Sequence, residues 1–158
     1  MALIEEYLAG LQECLEELST HDIEEAANII FDAYRKRKRI FIMGNGGSAT
    51  MAFITSLAND IGYDRIFEEQ LIDQLVKGDV VIGISASGNS PNVLRAIEYA
   101  RKNGAVTIGF IGFGGGKLKD LADKSIVLSK KNYQQVEDAH MVLAHIIPCR
   151  IKEKIEAL

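Results

Sequence analysis

A short apolar run followed by a turn rich in glycine and serine, and then by a helix-compatible stretch, occurs twice in this chain. The first unit is residues 40–43 with a turn at 44–48, and the second is residues 79–84 with a turn at 85–90. Pro91 follows the second turn and suits the first turn of a helix, where its missing N–H has no helical partner. Short, continuously apolar strands that alternate with helices predict a parallel sheet covered on both faces.

The rest of the chain extends this pattern. Apolar residues at three- and four-residue steps predict two amphipathic helices before the first strand. Further strands are predicted at 106–111 and 125–128, and the long last helix from residue 133 is expected to be interrupted at Pro148. The sequence therefore predicts one α/β domain over residues 1–158, built as a three-layer, doubly wound parallel sheet with amino-terminal helices and a long carboxyl-terminal helix.

Composition excludes several classes of protein. With 158 residues, 47% hydrophobic and 25% charged, the chain is neither disordered nor a disulfide scaffold, and Cys14 and Cys149 are expected to be reduced thiols. The apolar runs are too short to cross a bilayer and the first residues are acidic where a signal peptide is basic, so we expect a cytoplasmic protein with no membrane partner. A net charge of −4 argues against nucleic-acid binding, and the basic run at 35–39 is expected to be a solvated helix end.

The two turns are the candidate binding site. The carboxyl ends of parallel strands meet the amino ends of the following helices at one edge of the sheet, where open α/β sheets bind ligands and where an anion such as phosphate is favoured. In the second turn Ser85, Ser87 and Ser90 offer hydroxyl donors around Gly88, and Asn89 can cap a helix or adopt a left-handed conformation. For either turn alone, ordinary helix capping is about as good an explanation as phosphate binding, but the two turns together favour phosphate binding. Neither turn has the spacing of a nucleoside triphosphate or dinucleotide site.

Four motifs, in order along the chain, carry a resemblance to a known family. They are Gly44-Asn45-Gly46-Gly47-Ser48-Ala49, Asn59-Asp60-Ile61-Gly62-Tyr63-Asp64, Gly83-Ile84-Ser85-Ala86-Ser87-Gly88-Asn89-Ser90, and Glu137-Asp138-Ala139-His140 with His145. Together they resemble a sugar isomerase (SIS) domain of the phosphoheptose isomerase type, and the match covers most of the chain. The resemblance implies a flavodoxin-like topology and a cytoplasmic homotetramer that interconverts sedoheptulose 7-phosphate and D-glycero-D-manno-heptose 7-phosphate for surface polysaccharide.

The resemblance also implies roles for individual residues. The catalytic residues are expected to be His145, as the acid/base, and Glu137, which stands where the family usually has a glutamine facing the sugar or a zinc ion. The residues expected to bind the phosphorylated sugar are Asn45, Gly46, Ser48, Asp60, Ser85, Ser87, Asn89 and Ser90. Zinc held by Glu137 and His145 is a minority hypothesis, because eight helical residues span about 12 Å and further ligands would be needed. Without the resemblance, His145 would be explained as a packed core histidine. His140 is expected to be a helix-face histidine at a subunit contact or near the site, and His21 a surface residue beside a helix cap.

One family element has no counterpart in this sequence. In the family, the helix that follows Ser48 continues for several turns, carries a histidine and a glutamate base, and leads through a loop into the second strand. Here Phe53 joins directly to Ile54. Either the natural protein contains residues that this sequence omits, or the protein is shortened and lacks the usual base; loss of an interior strand would expose apolar sheet surface, which favours the first explanation. Glu68 and Glu69 are weak candidates for a replacement base.

Two functions from different classes remain after this comparison. The first is a phosphosugar aldose–ketose isomerase, whose chemistry needs a base at carbon, a proton donor at oxygen and a fixed phosphate. The alternative is a module without catalytic activity that senses phosphosugars or binds a replication initiator, as relatives of this family do. A leucine stripe on the first helix, formed by Leu8, Leu11 and Leu15, favours self-association in either case, and the alternative is that it packs on the sheet of its own chain.

Overall fold

The computed structural model describes residues 2–45 and 58–158, and its elements alternate as a doubly wound sheet requires. The helices and strands are α1 (Ala2–Glu16), α2 (Thr20–Arg35), β1 (Ile40–Gly44), a 3-10 helix (Tyr63–Arg65), α3 (Ile66–Ile72), β2 (Val80–Ser85), α4 (Pro91–Lys102), β3 (Val106–Ile111), α5 (Gly116–Leu121), β4 (Lys124–Val127) and α6 (Tyr133–Glu156).

The described strands form one parallel sheet in the order β1-β2-β3-β4. Ile42 lies beside Ile82, which lies beside Ile108, and at the carboxyl edge Ser85 is in register with Ile111. Parallel pairing brings the ends of all these strands to the same edge, and the helices cover both faces. The predicted fold class is confirmed.

Each face of the sheet has its own apolar core. On one side α2 and α6 pack over the sheet through Ile30, Leu143 and Ile147. On the other side α3, α4 and α5 pack against it, with Ile66, Ile97 and Leu118 fully buried or nearly so. Helix α2 begins where the sequence indicates, because the Ser19 hydroxyl accepts a hydrogen bond from the Asp22 N–H at 3.2 Å.

The carboxyl-terminal helix differs from the prediction. Helix α6 is continuous from Tyr133 to Glu156 with Pro148 inside it, so the predicted interruption at Pro148 is wrong. Leu143 and Ile147 are buried before the proline, and Ile151 packs against the same core after it. Core packing on both sides of Pro148 holds the helix together although the proline removes one backbone hydrogen bond.

Within the described residues, β1 is the edge strand and leaves apolar surface open. Ile42 is 68% exposed and Ile40 is 40% exposed. Phe53 and Ile54, where the sequence predicts a lost helix and strand, lie outside the described residues, so that loss stays a prediction. Across residues 2–45 and 58–158, no helix combines the length and the apolar character that crossing a membrane requires.

Candidate active site

The centre of the site is a pair of serine hydroxyls at the carboxyl edge of the sheet. Ser85 ends β2 and is buried, and its Oγ lies 2.9 Å from the Oγ of Ser90. Ser90 occupies the N-cap position of α4, but its side chain makes no capping hydrogen bond. The Asn92 Oδ1 instead accepts from the Val93 N–H at 2.9 Å. Since Asn92 does the capping, the Ser90 hydroxyl faces Ser85 rather than its own helix.

The serine turn is built against the glycine-rich loop after β3. Asn89 Oδ1 accepts from the Lys117 N–H at 3.1 Å, and the carbonyl of Gly88 accepts from the Leu118 N–H at 2.9 Å. Gly88 has φ +66°, and a Cβ there would lie 2.0 Å from the carbonyl oxygen of Gly115. Gly88 therefore takes the left-handed conformation that the sequence allowed for Asn89, and Asn89 caps the neighbouring helix α5. No other residue type fits at Gly88 without moving the loop.

On the opposite side, two amides connect β1 to α4. Asn45 Nδ2 donates to Asn92 Oδ1 at 3.1 Å, and Asn92 Nδ2 donates back to Asn45 Oδ1 at 2.7 Å. The Tyr63 hydroxyl also donates to Asn45 Oδ1, at 2.9 Å. Asn92 is 1% exposed, whereas Asn45 is exposed at the edge of the sheet. Asn45 thus keeps a face open to ligand while Asn92 and Tyr63 hold its carboxamide.

The turn is polar but uncharged, and its donors are mostly hydroxyls. Pro91 has no N–H, and the Val93 N–H is taken by the Asn92 side chain. At the start of α4 this leaves the N–H of Asn92 and the hydroxyls of Ser85 and Ser90 to meet an anion. Such a group of donors fits a phosphate, whose oxygens accept hydrogen bonds only, at a helix end with partial positive charge.

A buried histidine lies beside this edge. His140 of α6 is 5% exposed, its ring centroid lies 6.5 Å from that of Phe110, and its imidazole lies near the backbone of Ile111, the residue in register with Ser85. Burial lowers the pKa of His140 from 6.5 to about 4, while the backbone of Ile111 opposes this shift. In the described part of the chain, its Nε2 has no hydrogen-bond partner. His140 is therefore neutral at pH 7.

The histidine predicted to be catalytic lies on a different face of α6. His145 is exposed and stands midway between the buried Leu143 and Ile147. Because successive helical residues turn by about 100°, His145 faces away from the core that those two residues enter. Glu137 is also exposed on α6. The structure does not direct His145 toward the serine pair of its own chain.

Known proteins share this fold and sequence. The SIS domain family matches residues 51–112. A phosphoheptose isomerase of Geobacter sp. (strain M21) is 34% identical over 160 alignment positions, covering 84% of this chain and 83% of its own. A phosphoheptose isomerase of a Nitratiruptor species is 35% identical, with 94% of each chain covered. The chain belongs to the phosphoheptose isomerase family. The solved structure of phosphoheptose isomerase from Neisseria gonorrhoeae superimposes on this member with a TM-score of 0.88 at 25% identity, covering 96% of both chains.

The family members contain residues that this chain lacks. In the Geobacter alignment, 84% of 158 residues is about 133 residues, so about 27 of the 160 positions have no counterpart here. Their location between Phe53 and Ile54 stays a prediction. Of the weak replacement bases, Glu69 is paired with Arg65, and Glu68 Oε2 lies 3.7 Å from the same guanidinium.

The other family residues predicted for the site have mixed outcomes. Asp60 is exposed and accepts from Asn59 Nδ2 at 3.0 Å, three residues before the Tyr63 that reaches Asn45. Gly46 and Ser48 lie outside the described residues. The roles of the predicted residues stay predictions, although Asn45, Ser85, Ser87, Asn89 and Ser90 do lie together at one edge.

A zinc site is not complete in the described part of this family member. Residues 2–45 and 58–158 contain no cluster of three or more His, Cys, Asp or Glu side chains suited to a metal ion. The stretch from 46 to 57 contains none of these four residue types in its sequence. Glu137 and His145 are thus two donors on one exposed helix, which falls short of the four ligands of a usual zinc site. The residues of a single chain do not fit the metal.

Sequence reasoning missed two contributors to the site. Asn92 resembled an ordinary residue of the first helical turn, where asparagine is common, and only its position two residues after Ser90 marked it. The second is the glycine-rich run at residues 112–116, which follows β3. Its signal was the density of glycine, since a Cβ at Gly116 would meet the Ser87 carbonyl at 2.6 Å and Asn89 Nδ2 at 2.7 Å.

Proposed function

We propose that this protein is a phosphosugar aldose–ketose isomerase that converts sedoheptulose 7-phosphate to D-glycero-D-manno-heptose 7-phosphate. The observation that carries the proposal is the Ser85–Ser90 hydroxyl pair at the carboxyl edge of the sheet, supported on both sides, in a member of the phosphoheptose isomerase family. The curated relatives and the solved structure given above are phosphoheptose isomerases.

In the proposed reaction, one group of residues binds the phosphate of the substrate and another transfers the proton. Hydroxyl donors at Ser85 and Ser90, with Asn45 beside them, hold the phosphate, so that the sugar carbons at the other end have a fixed position. Isomerisation then passes a proton between adjacent carbons through an enediol, which requires an acid/base group at carbon and a donor at oxygen. An imidazole serves either purpose near neutral pH, and His145 is the proposed acid/base.

Self-association is part of the proposal because two adjacent helices leave apolar faces uncovered. Helices α1 and α6 are joined by the Tyr7 hydroxyl, which donates to Asp138 at 2.6 Å, and by Gln135 Nε2, which donates to the Tyr7 carbonyl at 3.0 Å. Large apolar side chains remain exposed on both helices: Leu3, Ile4, Leu8 and Leu15 on α1, and Met141, Val142 and Ile146 on α6. Such a patch on a single chain favours a homo-oligomer, proposed to be a tetramer.

His145 lies within this apolar surface of α6. Association through α1 and α6 would bring His145 to a boundary between subunits, where a sugar held by the serine turn of another copy can meet it. The proposal therefore places proton transfer at the subunit boundary. Zinc at Glu137 and His145 stays a prediction that needs ligands from a second copy, and a cytoplasmic location stays a prediction as well.

The test is conversion of sedoheptulose 7-phosphate by the purified protein, monitored by NMR of the sugar. Wild type is expected to turn over, and His145→Gln is expected to lose kcat while still binding the phosphosugar. Ser85→Ala is expected to weaken binding by roughly 10- to 100-fold, the effect of one hydrogen bond to a charged group. The matched control is Ser125→Ala on β4, whose hydroxyl donates to the Lys119 carbonyl at 3.2 Å. Binding without turnover in wild type would favour the sensor or adaptor, and unchanged binding in Ser85→Ala would refute the phosphate site.

A further inference from the structure

The side-chain amides of Asn45 and Asn92 pair in one orientation, and the neighbouring groups determine which atom of each amide donates and which accepts. The Val93 N–H donates to the Asn92 side chain, so the oxygen of that carboxamide must point into the helix amino terminus. With Asn92 Oδ1 fixed, the reciprocal bonds at 3.1 and 2.7 Å are satisfied only when Asn45 presents its Nδ2 to Asn92 Oδ1 and its Oδ1 to Asn92 Nδ2. The Tyr63 hydroxyl supports the same orientation by donating to Asn45 Oδ1 at 2.9 Å.

Burial makes Asn92 the fixed member of the pair. Asn92 is 1% exposed on a helix whose inner residues Val93, Ala96 and Ile97 are fully buried. Asn45 lies at the end of β1 and is exposed, so on its own its carboxamide would rotate freely. A buried amide with both ends bonded does not rotate without leaving polar groups unpaired. Asn92 therefore determines which atoms of Asn45 face the ligand.

We propose that Asn92 is a positioning residue that fixes the carboxamide of Asn45 for the bound phosphosugar, a role that rests on the function proposed above. Asn92 itself does not touch the sugar through its side chain, because both ends of that side chain are engaged within the protein. Its effect passes through Asn45, and it should disappear when Asn45 has no carboxamide to orient.

The decisive variant is Asn92→Asp. The carboxylate is nearly the same shape and still accepts from the Val93 N–H, where a negative charge suits a helix amino terminus, so the fold should be retained, with a lower melting temperature because position 92 is buried. The carboxylate still accepts from Asn45 Nδ2 but has no N–H to donate to Asn45 Oδ1, so one of the two reciprocal bonds is lost and two oxygens face each other. We expect the Kd for sedoheptulose 7-phosphate to rise about 10-fold or more, with kcat/KM falling by at least the same factor.

A double-mutant cycle separates positioning from charge repulsion and from general damage. In an Asn45→Ala background, Asn92→Asp should change the Kd for sedoheptulose 7-phosphate by no more than about 2-fold. If the new carboxylate simply repels phosphate, the same 10-fold loss persists in that background. Asn92→Ala, which adds no charge, should follow the same pattern in both backgrounds. The matched control is Asn103→Ala at the other end of α4, where Nδ2 donates to the Tyr99 carbonyl at 2.8 Å; its Kd should equal that of wild type.

Each outcome decides the proposal. The proposal is supported if Asn92→Asp raises the Kd for sedoheptulose 7-phosphate about 10-fold in the wild-type background but by no more than about 2-fold in the Asn45→Ala background. Equal effects in both backgrounds, or no effect of Asn92→Asp on Kd, overturn it. If wild type binds the phosphosugar without converting it, the isomerase function fails alone and the cycle on Kd still decides the role of Asn92. If wild type does not bind the phosphosugar at all, both proposals fall.

Discussion

The buried His140 predicts a specific loss of stability in mild acid. Its pKa is lowered from 6.5 to about 4 by burial, so the folded protein carries a neutral imidazole down to about pH 4. The unfolded chain takes up that proton near pH 6.5. Between these values the unfolded state binds more protons, and the free energy of unfolding must fall as the pH falls.

The magnitude follows from the two pKa values. In the window between them the slope is about 1.4 kcal/mol per pH unit, and the loss from pH 7 to pH 5 is about 2 kcal/mol for this one group. Below about pH 4 the folded state also binds the proton at His140, and the contribution of this group to the free energy of unfolding stops changing with pH. A loss of about 2 kcal/mol is a large part of the stability of a domain of this size.

The assay is urea unfolding at pH 7 and pH 5 at one protein concentration, which is held fixed because the proposed self-association would make stability depend on concentration. His140→Gln keeps a polar side chain at this position but does not titrate, so the variant should lose about 2 kcal/mol less than wild type between the two pH values. A His140→Gln variant that loses as much stability as wild type would refute the reasoning.

Three further predictions rest on other contacts. Gly88→Ala should destabilise by about 2 kcal/mol or more, measured by thermal unfolding, because its φ is +66° and the new Cβ would lie 2.0 Å from the Gly115 carbonyl oxygen. Asp79→Ala should cost about 2–4 kcal/mol in urea unfolding, because Asp79 is buried and accepts from two backbone N–H groups and from the Arg39 side chain. Met141→Lys, at a side chain that is 55% exposed on a single chain, should yield smaller species by light scattering, while an unchanged mass would show that α6 is not an interface.

The sheet was predictable because its strands are short, apolar and separated by helices. The predicted strand at 106–111 matches β3, and the predicted strand at 125–128 differs from β4 by one residue. Pro148 was the exception, since a local rule about proline carries no information on packing. The contacts of Leu143, Ile147 and Ile151 with the core outweigh that rule, and they arise from elements far away in sequence.

The types of residue in the site were predictable from the sequence, but their hydrogen-bond partners were not. Serines after a strand indicate hydroxyls at the sheet edge, and Ser85 and Ser90 are found there. Which residue caps the helix depends on competition between Ser90 and Asn92 for the same backbone N–H, and three-dimensional contacts with Asn45 decide it. Partnerships across 47 residues leave no trace in local spacing.

The two histidines of α6 show how a face is misjudged from sequence. The neighbours of His145 at Met141, Val142 and Ile146 are apolar, which suggests a buried stripe, yet these side chains are exposed and His140 is the buried one. One apolar face of α6 packs on the core, and we propose that the exposed apolar face contacts another copy.

Under the proposed function, a single chain binds the substrate, whereas proton transfer requires a second subunit. The hydroxyl pair and the Asn45–Asn92 amides are complete within one chain, because every bond that holds them is internal. His145 faces outward, and in the proposed function it acts only once another subunit covers α6. A variant that dissociates the oligomer should therefore abolish turnover while leaving phosphosugar affinity nearly intact. If dissociation removed binding and turnover together, the serine turn would also need a second copy, and the site would have to be redrawn around the interface.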